Sequence, residues 1–341
     1  MPSTPQTAIV GDGQMGLVLA DALAERGVPV RLWGRSEERV RELAETRRSP
    51  QRLEGFVLPD AVEVVADDAA LLDGVDLVVN AIPTQHIRSI WQRLAPHLPS
   101  KIPVVSVSKG IENDTLLRPT QVVADAIGED PERPDRPMCA LFGPTIAAEL
   151  ANRQPATLIA AAQDQSLAQL VQDSFTVDWM RVYRHDDLIG VELAGATKNV
   201  IALAAGMADG MGIGYNAKSA LLARGLAEIA RLGAAMGARV DTFFGIAGVG
   251  DLATTCFCPH GRNRSCGERL GRGESLDSIL DTSVFVVEGV PTTRSVVQLA
   301  ASHNVEMPIT TAVHAILFEG LAPADAISSL MGREPKAEWI G

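Results

Sequence analysis

A doubly wound, mostly parallel α/β sheet followed by an all-α domain is what this 341-residue sequence predicts, on three observations. A short apolar run, Thr7-Ala-Ile-Val10, leads directly into Gly11-Asp-Gly-Gln-Met-Gly16 and then a helical pattern over residues 17–26, ended by Gly27. Strand-like apolar runs then alternate with helical runs as far as Tyr183. From about Leu188 the periodicity is helical throughout. Strands alternating with helices imply crossover connections, because a parallel strand is reached only through a long connection such as a helix. The division expected is residues 1–187 for a Rossmann-type dinucleotide-binding domain and 188–341 for a helical substrate and catalytic domain.

The elements follow in order. Residues 28–33 form the second strand, and residues 61–65, 75–82, 102–108 and 138–142 give four more. Residues 87–98 and 117–127 are helical between them, residues 128–137 form a polar loop, and residues 156–162 and 180–183 can extend the sheet. Strand, Gly-x-Gly-x-x-Gly and helix in succession is the context that gives the glycine pattern meaning. Gly11 permits the tight turn, Gly13 lets a pyrophosphate approach the backbone, and Gly16 allows the helix to pack on the strand. The helix start supplies N–H groups and a partial positive charge for that pyrophosphate. An NAD-selective protein usually carries an acid at the end of the second strand. This chain has Gly34-Arg35 there, with acids only at Glu37 and Glu38. An arginine can pair with a 2′-phosphate, so NADP(H) is expected to be preferred or fully accepted.

Composition excludes several classes. Hydrophobic residues make up 46% and charged residues 21%, as in ordinary globular proteins. A net charge of −12 argues against nucleic-acid and anionic-membrane binding, so any phosphate must meet a local basic site. There is no uninterrupted run of about 18 apolar residues, and no membrane insertion is expected. The N-terminal stretch has no signal-like apolar region, so a cytoplasmic location is expected; a homodimer is expected as well, though no motif in the sequence carries it. The spacing of Cys256, Cys258, His260 and Cys266 matches none of the common zinc patterns, and no metal is expected.

The strand ends at Ser106-Val-Ser-Lys-Gly-Ile-Glu112 and Gly143-Pro-Thr-Ile-Ala147 are chemically loaded, with Lys109 a candidate anion or carbonyl contact. In the helical half, Val191 to Gly206 reads as part of one long helix, capped by Asp186 or Asp187 and ended by Gly210. A single cation, Lys198, interrupts its apolar middle among small neighbours such as Ala194 and Gly195. A lysine placed there loses water and must find an anion, a carbonyl or a lower pKa. Residues 217–236 carry one apolar helix face, which core packing explains. Residues 242–251 form a glycine-rich turn ending at Asp251, which begins a helix and lies one turn from Thr255. Gly261-Arg-Asn-Arg264 precedes a helix over residues 265–270, with Asn263 as its expected cap and Arg262 beside it. Residues 286–290 and a helix over residues 292–303 complete the core, and the polar tail beyond Gly332 is expected to fray.

Taken together, these stretches resemble the bacterial NAD(P)-dependent glycerol-3-phosphate dehydrogenase family over nearly the whole chain. The resemblance rests on the glycine loop, Ser108-Lys-Gly-Ile-Glu112, Phe142-Gly-Pro-Thr-Ile-Ala147, Val191-Glu-Leu-Ala-Gly-Ala-Thr-Lys-Asn-Val200, and Gly250-Asp-Leu with Gly261-Arg-Asn-Arg264; Val287-Glu-Gly-Val290 adds a weaker match. It implies that Lys198 is the proton donor and acceptor, with Asp251 and Lys109 beside it. It places Lys109, Gly143, Thr145, Asp251, Gly261, Arg262 and Asn263 along the substrate, where Lys198, its neighbour Asn199, and Thr255 complete the set. Gln14, Met15, Arg35, Lys109, Ala147, Arg262, Val286 and Glu288 would contact NADP(H) or NAD(H), together with the loop glycines Gly11, Gly13 and Gly16. The family's Ser-Trp after the second glycine is here Gln14-Met15, and the Cys256–His260 stretch also departs from the usual polar loop. The implied reaction interconverts sn-glycerol 3-phosphate and dihydroxyacetone phosphate, supplying glycerol 3-phosphate for phospholipid synthesis. Two rival readings are a related β-hydroxyacid dehydrogenase or ketopantoate reductase-like enzyme, and a non-catalytic NADP(H)-binding sensor.

Arg35→Ala should weaken NADPH binding by about 1.5–3 kcal/mol and leave NADH nearly unchanged, since the guanidinium gains charged hydrogen bonds only from the phosphate. Dissociation constants for both cofactors on both proteins check this; equal losses would give Arg35 a structural role instead.

Overall fold

The structure is a computed structural model that describes residues 5–335 and 337. The expectation of a frayed tail falls partly on residues 336 and 338–341, outside the described residues. The chain divides into two compact units, one of residues 1–108 and 119–188, the other of residues 109–118 and 189–341.

The first unit is built on eight strands: β1 (Thr7–Val10), β2 (Val30–Trp33), β3 (Val62–Val65), β4 (Leu77–Asn80), β5 (Val104–Ser106), β6 (Met138–Phe142), β7 (Ala156–Ala162) and β8 (Met180–His185). They form one sheet in the order β3-β2-β1-β4-β5-β6-β7-β8. All neighbours pair in parallel except β6 and β7, which are antiparallel. The helices of this unit are α1 (Gln14–Glu25), α2 (Glu37–Thr46), α3 (Asp68–Leu72), α4 (Ile87–Leu94), α5 (Pro119–Ala126), α6 (Ala147–Ala151) and α7 (Gln165–Phe175). β1 and β4 are fully buried, as expected of central parallel strands covered on both faces. The strand order reverses between β1 and β4, and ligand crevices in open α/β sheets lie outside the strand ends at that point. The helix expected over residues 87–98 is shorter: α4 stops at Leu94 and a 3₁₀ turn, Ala95–His97, follows, because Pro96 lacks the N–H that would continue it.

The second unit contains α8 (Leu188–Gly210), α9 (Tyr215–Ala235), α10 (Asp251–Phe257), α11 (Arg262–Gly271), α12 (Leu276–Asp281), α13 (Gly289–Ser302), α14 (Pro308–Phe318) and α15 (Pro323–Met331). Residues 109–118 belong with these helices although they precede α5. Ile111 is fully buried in the helical core, Ser295 Oγ donates to the Ile111 carbonyl at 3.0 Å, and Arg118 pairs with buried Glu192. By length and hydropathy α8 could cross a bilayer, yet 83% of its apolar window is buried inside the protein. It is the core of the unit.

The long helix does end at Gly210, its last residue, and the chain turns at Gly212, whose φ of 71° lies in the left-handed region. Gly210 also has a packing role, given next. One expectation for this half is corrected: residues 242–251 are not a plain turn, but a 3₁₀ segment, Val240–Phe244, and a π turn, Ile246–Gly250. The tight coil inserts fully buried Phe243 against Gly233 of α9, where an added β-carbon would lie 2.1 Å from the ring.

Helices α8 and α11 meet backbone to backbone. A β-carbon on Gly206 would fall 2.0 Å from the Arg264 carbonyl oxygen, and one on Gly210 would fall 2.2 Å from that of Glu268. Reciprocally, a β-carbon on Gly267 would meet the Leu203 oxygen at 2.1 Å, and one on Gly271 the Met207 oxygen at 2.3 Å. Glycines four apart share one helix face, so each helix presents a smooth strip to the other.

Gly206→Ala or Gly267→Ala should therefore lower stability by about 1–3 kcal/mol or more, the cost of overpacking a closed contact. Gly214→Ala, at an N-cap with open space around it, should lose only the cap preference of glycine over alanine, about 0.5–1 kcal/mol. Denaturant unfolding of the three variants tests the contrast.

Candidate functional site

Lys198 sits in the middle of α8 and is only 6% exposed. Its ammonium lies 2.9 Å from Asp251 Oδ1 and donates to Thr255 Oγ1 at 2.5 Å. Asp251 is 1% exposed and begins α10, while Thr255, one turn on, donates to the Asp251 carbonyl at 2.7 Å. The second carboxylate oxygen of Asp251 lies 2.7 Å from Lys109 Nζ. One carboxylate thus bridges two lysines, at the start of residues 109–118 and in the middle of α8. Burial pushes the Lys109 ammonium from 10.5 down to about 8, against the pull of Asp251, and the charges of Lys198 and Arg262 add to the lowering. A cation so placed is ready to meet an oxygen or a phosphate.

Arg262 opens α11 and is exposed, and its guanidinium donates to the Val286 carbonyl at 3.2 Å. Asn263 does not cap this helix. α11 starts earlier than expected, with Gly261 at the N-cap and no side-chain cap bond, so Asn263 already lies in its first turn. Its Oδ1 accepts from the Gly289 N–H at 2.8 Å, where α13 begins. A β-carbon on Gly289 would also lie 2.8 Å from the carbonyl of Asn199, so α8, α11 and α13 converge there. Glu288 is the N-cap residue of α13 and Val286 is exposed just before it. Among the described residues no three His, Cys, Asp or Glu side chains converge as metal ligands. Burial pushes the Cys256 thiol up to about 12 and that of Cys266 to about 11, so both are protonated at neutral pH.

In the first unit the glycine loop fits a dinucleotide. Gly11 has φ 125°, and a β-carbon there would press on the Ala81 carbonyl at 2.7 Å. One on Gly16 would lie 1.9 Å from the Gly11 oxygen, closing the turn. Gly13 is the N-cap of α1 and contributes no side chain, leaving the helix start open to a pyrophosphate. Gln14 Nε2 donates to the Arg52 carbonyl at 2.7 Å, and Met15 packs on the sheet core. Arg35 is exposed just past β2. Gly143 follows β6 with φ 159°, Thr145 Oγ1 donates to the Gly143 carbonyl at 3.1 Å, and Ala147 opens α6. Three residues that sequence reasoning missed gather at the loop: Asp12 within it, and Arg39 and Arg52 beside Asp12. The charge inside the glycine motif was their visible signal.

A dinucleotide-binding sheet joined to a helical unit with a buried lysine–carboxylate–lysine set defines a nicotinamide-dependent dehydrogenase. Residues 6–168 match the family described as NAD-dependent glycerol-3-phosphate dehydrogenase N-terminus, and residues 187–328 match its C-terminus. A glycerol-3-phosphate dehydrogenase (NAD(P)+) of Salinibacter ruber is 46% identical over 97% of this chain and 96% of its own. The crystal structure of a glycerol-3-phosphate dehydrogenase from Coxiella burnetii superposes with a TM-score of 0.92 at 33% identity, covering 97% of this chain and 100% of that one. A ketopantoate reductase from Ralstonia eutropha shares the fold alone, with a TM-score of 0.55 at 17% identity over 94% of this chain and 99% of its own. The chain belongs to the NAD(P)-dependent glycerol-3-phosphate dehydrogenase family.

The Lys109 environment sets a pH dependence. The lysine is cationic below about pH 8 and loses its charge as pH rises through that value, so kcat/KM for a phosphorylated ketone should fall above it. Lys109→Arg should carry the falling limb to higher pH, because a guanidinium keeps its proton. A limb that stays in place in the variant would assign it to another group.

Proposed function

We propose that this chain interconverts sn-glycerol 3-phosphate and dihydroxyacetone phosphate with NAD(P)(H), in roles divided among the residues above. The observation that carries the assignment is Asp251 held between Lys198 and Lys109 beside the bare start of α11. When bound, the nicotinamide supplies or accepts the hydride.

An ammonium has three donors, and Lys198 uses two of its three on Asp251 and Thr255. The remaining donor can polarise the ketone oxygen and pass its proton as the alkoxide forms. Asp251 orients that ammonium through a charge-assisted contact and holds Lys109 on its other oxygen. Lys109 then places a second cation where negative charge arrives. Arg262 and the N–H groups at the start of α11 bind the phosphate, with Asn263, whose Oδ1 holds the start of α13, and Asn199 lining the substrate beside it. In the first unit, Gly11, Gly13, Gly16, Gln14, Met15, Arg35 and Ala147 hold the dinucleotide, while Arg262, Val286 and Glu288 add contacts from the helical unit. Gly143, Thr145, Gly261 and Thr255 complete the substrate set. The enzyme works in the cytoplasm as a homodimer and supplies a phospholipid precursor.

Lys198→Ala should lower turnover roughly 10²–10⁴-fold, the scale of a positioned acid–base group, with cofactor affinity little changed. Dihydroxyacetone phosphate assayed with each reduced cofactor tests the reaction itself. A protein that binds cofactor yet turns over no triose phosphate would be a sensor, and near-normal turnover of the variant would remove Lys198 from its role.

A further inference from the structure

The acid expected at the end of β2 is absent from β2, and the glycine loop brings a carboxylate to the same place. A β-carbon added at Gly34 would lie 3.0 Å from Asp12 Cγ and 3.1 Å from Asp12 Cβ. The Asp12 side chain therefore occupies the space that an acid rooted at residue 34 would use. Val40 Cγ2 closes the other side at 2.9 Å, so a side chain at residue 34 would have to displace Asp12 or Val40. Two guanidinium groups flank the carboxylate, Arg39 Nε at 3.6 Å from Oδ2 and Arg52 NH2 at 3.9 Å from Oδ1. Both separations are longer than a good hydrogen bond, so the carboxylate keeps its acceptor positions and the arginines keep their donors. Arg52 is anchored by its backbone, whose carbonyl accepts from Gln14 Nε2. Its NH1 lies 3.8 Å from where a β-carbon of Gly13 would stand, over the loop that fits the pyrophosphate.

We propose that Asp12 determines the balance between the two cofactors. Its carboxylate accepts the ribose hydroxyls of the adenosine end of NAD(H), as an acid at the end of β2 would. Arg39 and Arg52, with exposed Arg35, take the 2′-phosphate of NADP(H), while the Asp12 carboxylate repels that phosphate by like charge. The site accommodates either cofactor, and the one carboxylate weights the choice. The inference rests on the dinucleotide-binding part of the proposed function and not on its substrate.

Isothermal titration of NADH and NADPH, with no substrate present, tests it on the full-length wild type and on Asp12→Asn. Asparagine keeps the shape and removes the charge. NADH should bind about tenfold or more weakly, and NADPH equally or more tightly. Arg39→Ala and Arg52→Ala should move the ratio the other way, weakening NADPH and sparing NADH. An unchanged ratio of the two constants in Asp12→Asn would overturn the assignment, whether both cofactors keep their affinity or lose it together. Turnover of dihydroxyacetone phosphate does not enter these titrations. Its absence would strike the proposed reaction and leave the cofactor result standing.

Discussion

Two helix backbones, those of α8 and α11, touch through four glycines, and the side chains proposed to handle the substrate hang from either side of that contact. Lys198 and Asn199 precede Gly206 on α8, and Arg262 and Asn263 precede Gly267 on α11. If either strip carried alanines, the helices would separate by the width of the added β-carbons and the phosphate and ketone contacts would drift apart. Positioning tolerances in catalysis are tighter than that displacement. The glycines are costly in helix propensity, yet the close approach needs surfaces without side chains. The same physics recurs at Gly289, which lets α13 begin against Asn199 and Asn263.

Burying cations in this apolar unit demands counter-charges in defined places. Asp251 serves two lysines at once, and Glu192 answers Arg118 in a buried pair. Asp209 holds both Lys218, at 2.7 Å, and Arg264, at 2.6 Å, next to the start of α11. Removing one partner from such a pair leaves an uncompensated charge in low dielectric, which costs far more than the pair itself contributes. The buried cations of this unit are thus each matched to a carboxylate within a chain of net charge −12.

In the first unit the constraint is the glycine loop, where Gly11 closes on Ala81 and Gly16 closes on Gly11. Because Gly34 and Asp12 share one space, the loop and the end of β2 are a single steric unit. The carboxylate of Asp12 and the guanidinium groups of Arg39 and Arg52 thus gather past the end of β2 without any of them belonging to it.

Much of this is legible in the residues themselves. Short continuous apolar runs set against helical runs place the alternating sheet, because burial on two faces makes parallel strands continuously hydrophobic. The strand–glycine–helix junction at residues 7–26 and the lone Lys198 in an apolar helix announce their chemistry locally. The packing role of Gly210, the coil over residues 242–251 and the partner of Asn263 are not legible in this way, and each depends on a residue far away in the chain. Gly210 is a packing surface for Glu268, Phe243 winds its segment to reach Gly233, and Asn263 turns to meet Gly289. The grouping of residues 109–118 with the helices, and the meeting of Lys109 with Asp251 across 142 positions, follow likewise from tertiary packing. Periodicity and local motifs determine which elements form and which residues carry reactive groups. Which of those groups share a hydrogen bond, and which glycines serve as packing surfaces, is decided only when nonlocal burial brings the helices into contact.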